Sequence, residues 1–376
     1  MTHRERWLKT LHFEPVDHVS DQEFGYWAEV FPIWHAQGLP KEIDNNKKAD
    51  IFFGFAPTFR NVPLGNNLLP GFESRVLEKG PDYRKIQNAV GATCIEYTSG
   101  KSSVPHFLDF ALKDRESWET LFKPKLDPED PQRRPAEAFA QSKDAWEKRD
   151  YPLGITIGSL YGWIRNWAGF EGAAMLVHDD PVLLEEIMEQ ITQICVRNLE
   201  WAAPQVQLDF GCGWEDMCFN AGPMLSPRDF ERLMVPRYRR ITEILHRHGC
   251  DIIFMDCDGN INQLVSLWLE AGINCMFPVE VAAGTDPIAL RDKYGKQILL
   301  LGGVNKRALI AGKEAIRKEI DRIAPYVAEG GWIPHVDHRV PPDVTYEDYL
   351  YYLAYKRDTF GIPEPAPWEE RRPADW

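Results

Sequence analysis

Apolar positions in the second half of the chain alternate between short runs and helical spacing. Residues 153–157 form an apolar, β-branched run that ends at Gly158, which is typical of a buried strand. Asp180 and Pro181 then mark the start of a helix, because Asp caps a helix N-terminus and Pro fits the first helical position. The same alternation predicts further strands at 19–24, 206–210, 251–255, 274–278, 297–301 and 331–334, and helices after Thr2, Ser226, Asp286, Asn305 and Thr345 and over 261–271.

Strand–helix units in this order predict a parallel sheet whose strands are joined by crossover helices. An open doubly wound sheet is the competing arrangement, but the chain has neither of the glycine-rich phosphate loops, GxGxxG or GxxxxGK[ST], that usually accompany it. We therefore predict an α/β fold, a TIM-type (β/α)8 barrel, with residues 1–376 forming a single domain. It would begin with a helical, aromatic-rich segment, and the four prolines within 123–135 predict a surface excursion.

Composition narrows the choice of partners and compartment. The 57 acidic and 43 basic residues give a net charge of −14, and no basic run occurs. Such a surface disfavours nucleic acids and anionic membranes as partners. A membrane span is not expected, and the N-terminus lacks an apolar signal core. The seven cysteines include no CxxC pair, which predicts reduced thiols in a cytoplasmic protein.

Two aspartates follow the predicted strand at 251–255, at the end where a barrel of this type has its active site. Asp256 and Asp258 should point the same way, because strand side chains alternate between the two faces. Carboxylates held that close repel each other unless a metal ion or a shared proton offsets the repulsion. A turn in which Asp258 caps the next helix is the structural alternative.

Similar side chains follow three other predicted strands. Glu215 and Asp216 are candidates for a general acid or base, His335 and His338 for proton transfer or metal binding, and Glu280 for either role. Solvated loops and a satisfied rim histidine are the structural alternatives. Together these positions predict one converged site. The aromatic residues Phe24, Tyr26, Trp27, Trp34, Tyr161, Trp163 and Trp167 would either wall a pocket for a flat ligand or belong to the core.

Four stretches resemble uroporphyrinogen-decarboxylase-like proteins. They are the opening THRERWLKTLHFEPVDHV, the internal EDMCFNAGPMLSPRDFERLMVPRY and DCDGNINQLVSLWLEAGINCMFPVEVAAGTDP, and the final VDHRVPPDVTYEDYLYYL. The resemblance runs through nearly the whole chain and implies a (β/α)8 barrel with its site at the C-terminal rim. That superfamily contains cofactor-free decarboxylases of porphyrinogens and corrinoid-linked methyltransferases with a zinc ion.

The decarboxylase branch fits this sequence less well than the methyltransferase branch. Its members carry an early arginine signature, R-Q-A-G-R-Y, that grips propionate groups. The matching stretch here, DQEFGYW from Asp21 to Trp27, has no arginine, although a polyanionic substrate needs cationic partners. The resemblance is therefore closer to the O-demethylase methyltransferases, which act on phenyl methyl ethers.

The methyltransferases bind zinc through a His-x-Cys pair and a later Cys. By the resemblance, Asp256 and Asp258 stand at the positions of the pair, His338 at that of the later Cys, and Glu280 at an acidic position. Carboxylates and an imidazole still suit zinc or another divalent ion, although they are harder ligands than thiolates. An oxygen substrate is therefore a better match than a thiol.

The resemblance thus implies transfer of a methyl group from a small methoxyaromatic substrate to the corrinoid of a partner protein, assisted by a divalent metal such as zinc. Asp256, Asp258, Glu280 and His338 would hold the metal, and Glu215, Asp216 and His335 would act as catalytic groups, with Asp21 and Glu23 in reserve. Two alternatives stay open: a cofactor-free decarboxylase of a porphyrinogen-like or smaller carboxylic acid, and a non-catalytic ligand-binding barrel.

Overall fold

A curled, seven-stranded parallel sheet forms the centre of the protein in the computed structural model, which describes residues 1–57, 59–98 and 105–372. In chain order the strands are β1 (Arg60–Asn61), β2 (Arg75–Lys79), β3 (Tyr83–Gln87), β4 (Thr93–Tyr97), β5 (His106–Asp109), β6 (Leu153–Gly158), β7 (Phe210–Trp214), β8 (Cys218–Phe219), β9 (Gly222–Pro223), β10 (Ile253–Asp256), β11 (Cys275–Phe277), β12 (Leu299–Leu301) and β13 (Trp332–Ile333). The central sheet has the order β1-β6-β7-β10-β11-β12-β13, and every pair in it is parallel.

Helices connect these strands. In chain order they are α1 (His3–Leu11), α2 (Val30–Ala36), α3 (Asn46–Phe53), α4 (Arg115–Ser117), α5 (Ala136–Glu147), α6 (Gly162–Asp179), α7 (Pro181–Ala202), α8 (Pro227–Leu233), α9 (Val235–Arg247), α10 (Val265–Glu270), α11 (Pro287–Tyr294), α12 (Lys306–Ala311), α13 (Lys313–Ala328), α14 (Tyr346–Phe360) and α15 (Trp368–Arg371). Parallel strands in chain order, each followed by a helical crossover, confirm the predicted TIM-type (β/α)8 barrel.

The strand predicted at 19–24 is wrong as a regular strand. Residues 19–24 form no strand ladder, and the nearest backbone bridge to the barrel joins Tyr26 and Val340 in parallel. One reason is that the Glu23 side chain accepts a hydrogen bond from the backbone N–H of Val336 at 3.0 Å. That N–H group is therefore not available for backbone pairing between strands. Buried acidic side chains therefore replace part of the backbone pairing at this seam of the barrel.

Capping residues start several helices where the sequence predicts them. Asp180, for example, accepts the backbone N–H of Leu183 at 2.9 Å at the start of α7. The single helix predicted from Ser226 to about residue 248 is wrong, because the chain forms α8 and α9 with a division at Met234. Pro236 lies in the first turn of α9, where its missing N–H costs no helical hydrogen bond.

The strand predicted at 206–210 begins later, at Phe210. Gly211 and Gly213 interrupt the apolar run of β7, so the sequence pattern does not mark it as a strand. Both glycines are nevertheless needed for packing. A Cβ on either would meet side-chain atoms of neighbouring residues at 2.6 or 2.5 Å. The shift makes Trp214 the last residue of β7 and leaves the acidic pair after it in the loop.

The antiparallel sheet β2-β3-β4-β5 is a part of the fold that the sequence did not predict. Strand β2 is exposed along its whole length, so it lacks the alternation of buried and exposed positions that reveals a strand. Among the described residues, no helix is long and apolar enough to cross a membrane.

Candidate active site

Three register neighbours define the mouth of the barrel. Asp256, the last residue of β10, pairs with Trp214 at the end of β7 and with Phe277 at the end of β11. These are the C-terminal ends of the strands, where barrels of this class place their chemistry. An inner cavity of about 420 Å³ lies below them, and its wall includes Phe24, Phe59, Trp214, Phe254, Phe277 and His335.

An outer cavity of about 560 Å³ lies next to the inner one. Its wall includes Trp27, Asp258, His338 and Arg339. The two cavities share Phe24, Trp214 and Asp256, so they meet at the end of β10. The site is thus a passage that aromatic residues and polar side chains line together in both cavities.

A larger groove of about 800 Å³ lies between β5 and α6. Its wall includes Phe107, Phe110, Arg165 and Phe170. None of the acidic or histidine residues predicted from the sequence lines it. We therefore assign the candidate chemistry to the two smaller cavities at the strand ends.

Asp256 is the most unusual titratable group in the passage. Burial raises its pKa well above the ordinary value, the charges of Asp258 and Asp216 add to the rise, and Arg339 opposes it. No described residue forms a hydrogen bond or an ion pair with its side-chain carboxyl oxygens. These surroundings favour the protonated form of the carboxyl group, which can donate a proton.

Asp258 and His338, both predicted as site residues, lie together in the outer cavity. Their Oδ2 and Nε2 atoms are 3.1 Å apart. The His338 ring stacks on Trp27 and meets Phe24 edge-on, each with a centroid distance of 5.5 Å. The other carboxylate oxygen of Asp258 is buried and has no hydrogen-bond partner among the described residues.

His335 lines the inner cavity as a neutral imidazole. Burial lowers its pKa to about 4. Its Nδ1 lies 2.9 Å from the carbonyl oxygen of Val336, which can only accept, so Nδ1 carries the hydrogen. Nε2 then keeps its lone pair and is the ring atom available as an acceptor.

Glu215 lies behind the end of β7 and lines neither cavity. Its carboxylate accepts the backbone N–H groups of Leu160, Tyr161 and Gly162 at 2.6, 3.0 and 2.7 Å, and it also accepts the hydroxyl of Tyr238. Burial raises its pKa, while these donors oppose the rise. Its visible role is to hold the connection between β6 and α6.

Asp216 lies beside the passage in a tight turn, with φ of 44°. Its carboxylate forms an ion pair with Arg165 at 3.0 Å, and that guanidinium lies 5.4 Å from the centroid of the Trp214 ring. Burial raises the pKa of Asp216, and the nearby charge of Asp258 adds to the rise. The structure therefore ties this predicted residue to the wall of the site through Trp214.

Both carboxylate oxygens of Glu280 are bonded to groups other than the predicted metal ligands. One oxygen accepts the ammonium of Lys306 at 2.6 Å, and the other accepts the backbone N–H of Gly259 at 2.9 Å. Within the described part of the chain, no three His, Cys, Asp or Glu side chains are grouped so as to hold a metal ion. The predicted set therefore does not fit a preformed zinc site.

The two reserve carboxylates have different surroundings. Asp21 forms buried ion pairs with Lys356 at 2.7 Å and Arg357 at 2.8 Å, which lower its pKa. Glu23 lines the inner cavity, and burial raises its pKa to about 7. Its Oε1 lies 3.9 Å from Nδ1 of His335. Asp21 thus anchors the fold, and Glu23 supports the wall that carries His335.

A Glu23→Gln substitution should change how stability depends on pH. The folded-state pKa of about 7 exceeds the ordinary value of 4.5, so the folded protein holds this proton more tightly than the unfolded chain. The Glu23 carboxyl contributes its full stabilisation at pH values below its unfolded-state pKa. This contribution falls as the pH rises to about 7, by about 3 kcal/mol in total. Urea unfolding at about pH 5 and about pH 8 should show this loss in the wild type and not in the variant. Parallel pH profiles would contradict it.

Trp214 and Arg339 are among the passage residues that the sequence did not predict as site residues. Both adjoin predicted site residues, since Trp214 precedes Glu215 and Arg339 follows His338. That adjacency was the available signal. The expectation of an aromatic pocket is met in part: Phe24, Tyr26 and Trp27 line the outer cavity, whereas Trp34, Tyr161 and Trp167 are fully buried core residues.

The parallel sheet and the passage at its strand ends define a TIM-type (β/α)8 barrel with its candidate site in the usual place for that class. Residues 95–355 match the family model described as "Uroporphyrinogen decarboxylase (URO-D)". This match spans more than half of the chain, and the chain belongs to that family.

Two solved structures are similar to this one. A methyltransferase from Methanosarcina mazei matches with a TM-score of 0.56 and 15% identity, over 96% of this chain and 99% of that chain. At this identity the likeness shows the fold alone. A B12-independent methionine synthase from Shewanella sp. W3-18-1, in complex with selenomethionine, matches with a TM-score of 0.36 and 10% identity, over 58% of this chain and 65% of that chain. That score supports no argument about this chain.

Proposed function

We propose that this protein is a methyltransferase that removes the methyl group of a methoxyaromatic substrate, with Asp256 as the proton donor to the leaving phenolate oxygen. The proposal rests on one observation: a half-buried carboxyl group, with a pKa well above its ordinary value, lies in the wall shared by two cavities that aromatic residues line. Aromatic walls suit a flat ring, and a neutral acid beside that ring suits an oxygen that gains negative charge.

The proton transfer balances the cleavage of the ether. When the bond between the methyl carbon and the oxygen breaks, the electron pair stays on the phenolate oxygen, and the proton of Asp256 neutralises it. The positive charge of Arg339 then stabilises the carboxylate that Asp256 becomes, until solvent returns a proton. The reduced corrinoid of a partner protein would supply the nucleophile that accepts the methyl group.

The family and the structural neighbour support different parts of this proposal. The Methanosarcina mazei protein, named a methyltransferase, agrees with methyl transfer. The family description names a decarboxylase, and a proton donor beside an arginine also suits loss of CO₂ from a small acid. Decarboxylation is therefore the outcome that a test has to separate from demethylation.

The direct assay uses 2-methoxyphenol and reduced cobalamin as substrate and acceptor. The proposal predicts that catechol and methylcobalamin form in equal amounts, because each cleaved ether yields one of each. Release of CO₂ from methoxybenzoic acids without any demethylated product would instead support the decarboxylase. Tight binding of these compounds without any product would support a ligand-binding barrel.

Metal content tests the zinc prediction separately. We expect the purified protein to contain well below one equivalent of metal, with the same content in Asp256→Ala, because Lys306 and Gly259 already satisfy Glu280. Elemental analysis after purification without chelators measures this. About one equivalent of metal that is lost in Asp256→Ala would contradict the expectation and restore a metal-assisted mechanism.

A further inference from the structure

Arg339 brings a guanidinium group to the outer cavity immediately after His338. Its central carbon lies 5.7 Å from the centroid of the Phe24 ring and 5.6 Å from that of the Trp27 ring. The side chain is half-buried. The two rings hold a cation in place and leave its N–H edges available to a ligand.

No hydrogen bond or ion pair joins this guanidinium to any described residue. Several other arginines in the part of the chain that the structure describes have carboxylate partners, such as Arg165 with Asp216 at 3.0 Å and Arg357 with Asp21 at 2.8 Å. An arginine fork matches a carboxylate with two parallel hydrogen bonds, which are among the stronger polar contacts in proteins. Arg339 has this capacity unused at the mouth of the barrel.

No described acidic residue that lines the outer cavity forms an ion pair with this guanidinium. Asp44 pairs with Lys48 at 2.9 Å, and Asp258 pairs with His338 at 3.1 Å. Asp256 lines the same cavity and, among the described contacts, forms no hydrogen bond or ion pair with the guanidinium. The guanidinium of Arg339 therefore lies beside two aromatic faces without a bonded carboxylate among the described residues.

We infer that Arg339 is the specificity-determining residue of the passage and that the substrate is an aromatic ring carrying one carboxylate. This inference rests on the proposed function for the reacting methoxy group, and it adds the second substituent. One guanidinium can bind one carboxylate. A polyanionic substrate would instead need a site with several arginines. Because Arg339 and Asp256 line the same cavity, a single ring can present its carboxylate to one and its ether oxygen to the other.

A pair of ligands with the same shape and different charge tests this inference without turnover. The probes are 3-methoxybenzoate and 3-methoxybenzamide, and calorimetry measures their affinities. The wild type should prefer the benzoate by about 10- to 100-fold, the range expected for charge-assisted hydrogen bonds. Arg339→Gln should abolish the preference while its affinity for the benzamide stays within about threefold, because only the charged contact is lost.

A matched control removes a similar arginine from the opposite end of the barrel. Arg60 lies 4.2 Å over the Tyr151 ring at the N-terminal ends of the strands, so Arg60→Gln should keep the full preference. Arg339→Lys retains the charge without the fork and should reduce the preference without abolishing it, which keeps the test sound if Arg339→Gln folds poorly.

Two outcomes would overturn the inference. The first is equal affinity of the wild type for both compounds, and the second is an unchanged preference in both Arg339 variants. If either occurs while 2-methoxyphenol is still demethylated, only the role of Arg339 fails. If neither compound binds and no methoxyaromatic reacts, the proposed function fails as well.

Discussion

Replacing Asp256 with asparagine should lower the rate of demethylation by about 10²- to 10⁴-fold, the range that a general acid contributes. Affinity for the substrate should change by less than about threefold. The reason is that asparagine has the shape and neutral charge of a protonated aspartic acid but has no acidic proton. Single-turnover rates and calorimetric affinities separate the two effects.

The affinity in this variant also reports the charge of Asp256. If Asp256 were ionised in the resting site, asparagine would remove a negative charge from the cavity, and 3-methoxybenzoate would bind much more tightly. Such a gain, with the neutral 3-methoxybenzamide unaffected, would contradict the protonated state. An unchanged rate of demethylation would contradict its role as the proton donor.

The Glu215→Ala variant should lose about 3–5 kcal/mol of unfolding free energy, the cost expected when a buried charged partner is removed. Three backbone N–H groups and the hydroxyl of Tyr238 would lose their acceptor in the protein interior. Denaturation in urea measures the loss. The start of α6, which Glu215 holds, should become the least protected part of that helix in hydrogen exchange.

Glu171 on the exposed side of α6 provides the control. Glu171→Ala should change stability by no more than about 0.5 kcal/mol, as is usual for a surface position. The stability result also separates the two interpretations of Glu215. A Glu215→Ala protein of wild-type stability that had lost its activity would support the catalytic role predicted from the sequence.

The sequence predicts the site best where side chains lie on a strand or directly at its end. Asp256 is the last residue of β10, so the alternation of strand side chains was enough to direct it toward the barrel mouth. The contact between Asp258 and His338 also follows from the convergence of strand ends, although these residues are 80 positions apart. The family resemblance correctly predicted the barrel fold, but it did not establish the function of these side chains.

Residues in the loops after the strands were harder to place, because turn geometry decides their direction. Val279 has a φ of 59°, and the turn around it leaves Glu280 bonded to Lys306 instead of beside Asp256. Glu215 lies after a strand as well, but it turns inward and binds the start of α6. Spacing along the chain identified these acidic residues as unusual and did not reveal which way they face.

Prediction of the strands from the sequence also depended on the local pattern of apolar residues. Central strands were found because their apolar runs are buried on both faces, whereas the exposed strand β2 had no such signal. The segment at 19–24 was predicted as a strand from the alternation of short apolar runs with helical segments. Its pairing depends on buried carboxylates such as Glu23, which local patterning does not describe.

The most direct test of the account is the fate of two labels in one substrate. 3-Methoxybenzoate with ¹³C in both the methoxy and the carboxyl carbon would be incubated with the protein and reduced cobalamin and followed by NMR. The account predicts that the methoxy label appears in methylcobalamin while the carboxyl label stays on the ring as 3-hydroxybenzoate. Transfer of the carboxyl label to CO₂ with an intact methoxy group would contradict it and identify the protein as a decarboxylase.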